Sequence, residues 1–498
     1  MIPGPLRRAP VDPTIGRDRP VSTRRTLATV AVSAALGLGA APPAHAVLVP
    51  DPGPPAATEA APDNEGASTP ETSGQPAEMV ETREVLRHLE AFQAISEANG
   101  GTRAVGTAGH EASGRYVEEQ LIAAGYEPWR QYFPFTYEET LSTSLTYTRG
   151  ERTTAAAHVP MAQSPGTPQG GVTGAVVTPT GSFAGCASED WADVDATGGV
   201  ALVVRGSCTF ADKARTAANA GATALIVHNN DPAPLNGTLG GHPDEHLPTV
   251  GVSEETGRAL SALPDDATVT LMIDKVIEER QTFTVLAQTD RAPDDSVVML
   301  GAHLDGGEEG PGINDNGTGS AALLETATQL ARDGQTSRAV RFAWWGASDI
   351  GNLGSRHYVT ELAEDDPDGL GDIAAYLDVD TVASPNHIVA VHDADGGPGS
   401  VLGDHLDSIG QPWVDVAAPP ESDLRVFMEA GVPSTGLSTG TSGSKTAQEG
   451  EDFGGTVGLP YDPNHDTVAD DLDNVDVDVL QVTTAAVAHA ARALATRS

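Results

Sequence analysis

The chain has 498 residues, 39% of them hydrophobic, enough to build two or three cored domains. Its formal net charge is −42, from 70 acidic against 28 basic residues, and Lys213, Lys275 and Lys445 are its only lysines. That balance excludes nucleic acid and anionic membranes as partners, since both are gripped by basic patches; the acidity reads as a solvated surface.

Residues 1–46 read as an export signal. Arg24 and Arg25 precede an apolar run from Leu27 to Leu38 that is too short to span a bilayer, and Ala44-His45-Ala46 supplies a small-x-small cleavage pattern. The arginine pair fits the twin-arginine route, although a general secretory signal has a similar outline. No later run of about eighteen apolar residues occurs, so the expected mature protein is secreted, extracellular and without a membrane span. Residues 47–77, rich in Pro, Ala, Glu, Thr and Ser, bury too little apolar surface to offset chain entropy and read as a disordered linker.

Order is expected from about residue 78. Val85, Leu89 and Phe92 fall on one helical face, and the helix stops at Asn99-Gly100-Gly101. A second helix over 111–124 closes at Gly125 and leads to a strand over 127–135. Between 145 and 273 short apolar runs (174–177, 200–206, 224–230) alternate with Gly, Pro and Asp, with a helix over 210–222, which describes a compact strand-rich module. Cys186 and Cys208 lie inside it, and two cysteines in an exported protein pair most simply as one disulfide.

From 281 onward apolar strands (282–288, 296–302, 339–346, 373–380) alternate with helices, including 320–332 and 477–495. This pattern predicts an α/β fold, a mixed and largely parallel sheet sandwiched by helices. It would be built from 78–144 and 274–498, with the module 145–273 inserted. In such sheets sites form at the carboxyl ends of the strands.

The strand ends deliver His303 and Asp305, then Asp315 in a Gly/Asn-rich loop, then Ser348-Asp349, then Asp378 and Asp380; a late loop adds His465 and Asp466. Two readings stand on these residues alone. An imidazole and several carboxylates converging from separate strands suit a divalent metal, with Asp305 placed to accept from the other ring nitrogen of His303. Loop acids facing solvent are the alternative. His228, His242, His246, His357 and His387 read as ordinary surface or core histidines.

The stretches GAHLDGGEEGPGINDNGTGSAALLE (301–325), WWGASDIGNLGSRHYV (344–359), TGTSGSKTAQ (439–448) and DPNHDTVADDLDNVD (462–476) resemble the secreted zinc aminopeptidases. That group includes bacterial leucyl aminopeptidases, aminopeptidase Y and glutamate carboxypeptidase-like proteins, and the resemblance runs from about residue 80 to 495. RGSCTFADKARTAANAGATALIVHNN (205–230) resembles a protease-associated domain, a likeness that also pairs Cys186 with Cys208. The resemblance implies a phosphorylase/hydrolase-like zinc peptidase fold acting on peptide or protein N-termini. It implies two zinc ions, with His303 and Asp380 on one, Asp315 bridging, and Asp349 on the other with one residue of the final loop. It further implies a glutamate general base just before Asp349 and a Tyr-His pair in the final loop.

Several positions depart from this pattern. The base position holds Ser348, and the next ligand is the shorter Asp349. Aligned without a gap, His465 takes the Tyr position and Asp466 the metal His position. Glu421 replaces an arginine expected before Ser422-Asp423, and Asn464 and Ala469 replace a cysteine pair. Loss of a general base costs about 10²–10⁴ in rate, roughly 3–5 kcal/mol of barrier. An all-oxygen second site of Asp315, Asp349 and Asp466 would suit Ca²⁺, Mg²⁺ or Mn²⁺ better than zinc, whereas His465 turned inward would restore a nitrogen. The expectation is a metallo-aminopeptidase with impaired catalysis; the alternative is a non-catalytic peptide- or protein-binding relative.

Overall fold

A computed structural model describes residues 82–496 apart from 265, 291–295, 334–335 and 367. The export signal and linker expected over 1–77 lie outside the described residues.

Two helices open the described chain, α1 (Thr82–Ala98) and α2 (Ala108–Ala124), followed by the long strand β1 (Trp129–Arg149). Next come β2 (Arg152–Ala155), β3 (Val159–Pro160), β4 (Val172–Gly174), β5 (Val176–Val177), β6 (Val200–Val204), α3 (Phe210–Asn219), β7 (Ala224–His228), β8 (Thr249–Val252) and α4 (Glu254–Ser261). A second long strand, β9 (Thr268–Gln288), returns to β10 (Val297–His303), α5 (Gly319–Asp333), β11 (Ala339–Trp345), α6 (Leu353–Asp365) and β12 (Ile373–Val379). The chain finishes with β13 (Ala390–His392), α7 (Gly399–Ile409), β14 (Val414–Val416), α8 (Asp423–Glu429), β15 (Ser434–Ser438), α9 (Ala447–Phe453) and α10 (Val477–Thr496).

The main sheet runs β14-β13-β15-β12-β10-β11-β9-β1-β2, with β4 also paired to β9. Its centre, β11-β10-β12-β15, is parallel, and antiparallel pairs flank it on both sides. Every residue of β10 is buried, which is why its sequence reads as a continuous apolar run instead of alternating. Helices cover the sheet: Leu323, Leu324, Val487 and Leu494 from α5 and α10 pack with Val298, Leu300 and Leu377 in one core. Side chains of that size each contribute about 1.5–3 kcal/mol on burial.

A second sheet, β3-β8-β7-β6-β5, belongs to the strand-rich module, and Cys186 and Cys208 are disulfide-bonded beside it with Cα atoms 5.9 Å apart. The expected limits at 144/145 and 273/274 fall inside β1 and β9, which pair along most of their length. Phe133 and Phe283 pack in the main body, while Leu145, Val269, Leu271 and Ile273 at the far ends pack on the module's sheet. A two-stranded ribbon therefore joins the two regions where the sequence suggested a simple boundary. Among the described residues no helix is long and apolar enough to cross a membrane.

Candidate metal centre

The parallel strands β10, β11 and β12 stop at one level of the sheet, and the chemistry-bearing side chains follow their last residues. β10 ends on His303, whose Nδ1 is bonded to the main-chain carbonyl of Asp305 at 3.0 Å, leaving Nε2 to face the cleft. The acceptor is thus the backbone of Asp305. Its buried carboxylate instead receives the N–H groups of Ser348 and Asp349, each at 3.3 Å, and so ties the end of β11 to the end of β10.

Asp315 sits in a tight turn over Ile313–Thr318, between two asparagines that explain the Asn-Asp-Asn pattern. The Asn316 amide donates to Val379 O (2.9 Å) and accepts from the N–H groups of Gly319 (2.9 Å) and Thr381 (3.0 Å). Asn314 donates to Asp462 Oδ2 at 2.6 Å and accepts from Ala383 N. Asp470 accepts from the N–H groups of both Asn314 (2.8 Å) and Asp315 (3.0 Å). Arg103, fully buried, donates to Leu304 O (2.6 Å), Pro311 O (2.7 Å) and Gly312 O, pinning the stretch that leads from β10 into the turn carrying Asp315. Its sequence context after a Gly-Gly turn gives no sign of this task.

Two groups of side chains share Asp315. His303 Nε2 lies 3.2 Å from Asp315 Oδ1 and 3.3 Å from Asp380 Oδ1, and Thr381 Oγ1 donates to both carboxylates. Two donors at 2.0–2.1 Å from a tetrahedral ion stand about 3.3 Å apart, so these separations fit one divalent cation. On the other side His465 Nε2 lies 2.7 Å from Asp315 Oδ2, and Asp466 completes a second group able to hold a cation. His465, at the position expected for a tyrosine, thus faces the carboxylate of Asp315. Asp466, at φ +58°, is at hand beside it. Asp349 belongs to neither group: one methylene shorter than glutamate, its carboxylate comes only within 4.0 Å of His303 Nδ1.

The electrostatics favour bound cations. Asp305, Asp378, Asp423 and Asp470 are buried around the centre, with Arg103 beside them, the one buried arginine among the described residues. Burying carboxylates at this density is costly unless positive charge is supplied. Burial alone would depress the imidazole of His303, but Asp315 and Asp380 outweigh it and raise it well above its ordinary value. Burial likewise opposes His465, yet Asp315 raises it to about 9. Asp315 is pulled well below the usual carboxylate range by the two imidazoles, against the effect of burial. Desolvation and then the charges of Asp305, Asp315 and Asp466 hold Asp349 well above that range.

Beneath the centre Trp345 Nε1 donates to Tyr376 OH (2.9 Å), which donates to Asp378 Oδ1 (2.7 Å). Gly301 makes room for this pair: a Cβ there would meet Trp345 Nε1 and Tyr376 OH at 2.4 Å each. Ser348, at the expected base position, donates from Oγ to Asp423 Oδ2 at 2.7 Å. The final loop lacks its expected cysteine pair and is tied by amides instead. Asn464 donates to Asn474 Oδ1 (2.9 Å), and Asn474 donates to Asp462 (3.0 Å) and Asp470 (2.9 Å). The histidines read as ordinary all lie outside both groups.

A parallel-centred α/β sheet with two His/Asp groups at its strand ends, each able to hold a cation, is the arrangement of a metal-dependent hydrolase. Residues 284–491 match Peptidase family M28 and residues 172–260 match the PA domain. The chain is 39% identical over 433 residues to the probable lipoprotein aminopeptidase LpqL of Mycobacterium tuberculosis, covering 82% of this chain and 84% of that one. It is 37% identical over 423 residues to an aminopeptidase of Pseudomonas aeruginosa, covering 80% and 78%. Among solved structures, the aminopeptidase from Aneurinibacillus sp. strain AM-1 superposes with a TM-score of 0.68 at 26% identity, over 84% of this chain and 96% of that one. The chain belongs to peptidase family M28, as an aminopeptidase-type member with a PA domain.

Proposed function

We propose that the chain is an exported aminopeptidase that removes N-terminal residues from peptides with two divalent cations, and that its proton-transfer step is weakened by Ser348. The observation that carries this reading is the division of Asp315, one oxygen toward His303 and Asp380 and the other toward His465. His303, Asp315 and Asp380 would hold the first cation, for which zinc suits the nitrogen and oxygen donors; His465, Asp466 and Asp315 would hold the second. Bound there, the cations would acidify water and polarise a peptide carbonyl. Export is supported by residues 21–46 and by the Cys186–Cys208 disulfide.

Purified protein assayed on aminoacyl chromogenic substrates with Zn²⁺, Mn²⁺ and Ca²⁺ tests the reading. Turnover above a His303→Ala control is expected; none under any metal would end it. The second reading, a peptide-binding protein without catalysis, is favoured by the missing carboxylate at residue 348. It requires Ser348→Glu to create activity where the unmodified chain has none.

A further inference from the structure

We propose that Asp423 is a positioning residue that lets Ser348 carry the proton of the attacking water, so that a Ser348–Asp423 pair replaces the missing glutamate. The inference rests on the aminopeptidase reading. Ser348 Oγ points its hydrogen at Asp423 Oδ2 over 2.7 Å, and the other Asp423 oxygen accepts from Ser355 Oγ. Asp423 is 4% exposed, and none of the ion pairs among the described residues gives it a cationic partner. A buried carboxylate whose side-chain partners are two hydroxyls is an expensive arrangement, and one of those hydroxyls holds the sequence position, just before Asp349, where the resemblance puts the general base. A free serine hydroxyl is too weak a base, but one that already donates to a carboxylate keeps its lone pairs free and can pass its own proton on.

The transfer balances. One water O–H bond breaks as Ser348 Oγ gains that proton, and the original Oγ–H breaks as Asp423 Oδ2 gains the other. The resulting hydroxide adds to the peptide carbonyl. On collapse the C–N bond breaks, the proton returns from Asp423 to Ser348, and Ser348 protonates the leaving nitrogen. The groups facing Asp423 are His303 and Asp305 at the end of β10 and Tyr376 and Asp378 on β12; α6 contributes the Ser355 hydroxyl. Burial raises Asp423 to about 6, against the hydrogen bonds from Ser355 and Ser348. The carboxylate form is needed, so kcat/KM should fall as pH drops below about 6.

The test compares wild type, Asp423→Asn, Ser348→Ala, their double variant, Ser348→Glu, and Ser348→Glu with Asp423→Asn, with zinc content measured for each. Each single deletion should lower kcat roughly 10²–10³-fold with KM and zinc content little changed, and the double should be no worse. In the Ser348→Glu background Asp423→Asn should cost less than about tenfold, because a carboxylate then accepts directly. The wild-type proton inventory should be curved, with two protons in flight, and linear with Ser348→Glu. Infrared titration of the Asp423 carboxyl should show its midpoint rise in Ser348→Ala, which removes a hydrogen bond to the charged form. Ser348→Ala, the smallest change, keeps the test valid should Asp423→Asn fold poorly. Wild-type turnover with both single variants within threefold of it overturns the pair and leaves the aminopeptidase reading standing. A silent wild type beside an active Ser348→Glu also overturns the pair, and silence in both ends the aminopeptidase reading with it.

Discussion

His465 Nε2 lies 2.7 Å from Asp315 Oδ2, on the side of that carboxylate opposite His303. The final loop thus presents nitrogen, and not only oxygen, to the second group. A soft-to-borderline cation such as zinc gains from that exchange, while Ca²⁺ and Mg²⁺ do not. His465→Phe should weaken the second equivalent of zinc roughly 100-fold or more, beyond the 10–100-fold typical of a residue that only supports a ligand. Asp466→Asn should cost less. Competitive titration against a chromophoric chelator measures both, and a larger loss in Asp466→Asn would show that the loop binds through oxygen.

Protons and cations compete for the same imidazoles. Without a cation His465 is held at about 9, so its ring is charged at neutral pH, and His303 is raised above its ordinary value by Asp315 and Asp380 against burial. A cation binds only the neutral ring, so zinc added at pH 7 should release protons, that of His465 among them, and affinity should rise with pH through about 9. The stability effect has the opposite sign. The His465–Asp315 pair contributes fully below the unfolded histidine value and is lost as pH rises through about 9. The melting temperature of metal-free protein should therefore fall across that window while the zinc-loaded protein holds. An indicator-dye measurement of released protons and parallel melts check this.

Arg103 donates to three main-chain carbonyls, those of Leu304, Pro311 and Gly312, on the stretch that leads into the turn holding Asp315. Arg103→Met leaves those acceptors without their donor and removes a buried arginine from among the acids, so a loss of roughly 3–5 kcal/mol is expected. Arg103→Lys keeps the charge but lacks the planar fork, and should lose less. Denaturant unfolding of metal-free protein measures both; equal stability of wild type and Arg103→Met would remove Arg103 from this role.

Asn474 does for the final loop what a cysteine pair would otherwise do. It is 2% exposed and joins Asn464, Asp462 and Asp470. Asn474→Ala should cost roughly 2–3 kcal/mol through unsatisfied buried partners. It should also raise the hydrogen-exchange rate of the N–H groups of Asn314 and Asp315, which rest on Asp470. Unchanged exchange at those two positions would show that the network does not brace the centre.

The central strands were legible because β10 and its parallel neighbours are buried on both faces and leave unbroken apolar runs in the sequence. The ligand loop was legible because Gly and Asn crowd around Asp315. The ribbon of β1 and β9 was not, since its middle (Thr136–Thr140 against Lys275–Glu279) mixes charged residues with apolar ones and is only partly buried, so it gives no clean strand pattern. The approach of His465 to Asp315 was not, because it is a contact between side chains 150 residues apart in the chain, which residue type alone does not dictate. Arg103 and Asp423 carry no local signal of their tasks, because their partners lie 68 or more residues away in the chain.

Zinc titration of wild type against Asp315→Asn, followed by elemental analysis, tests the shared bridging carboxylate most directly. Two equivalents are expected in wild type, and both should be lost or greatly weakened in Asp315→Asn, because each depends on one oxygen of the same side chain. A wild type that takes up fewer than two equivalents, or an Asp315→Asn protein that keeps one at full affinity, would contradict it.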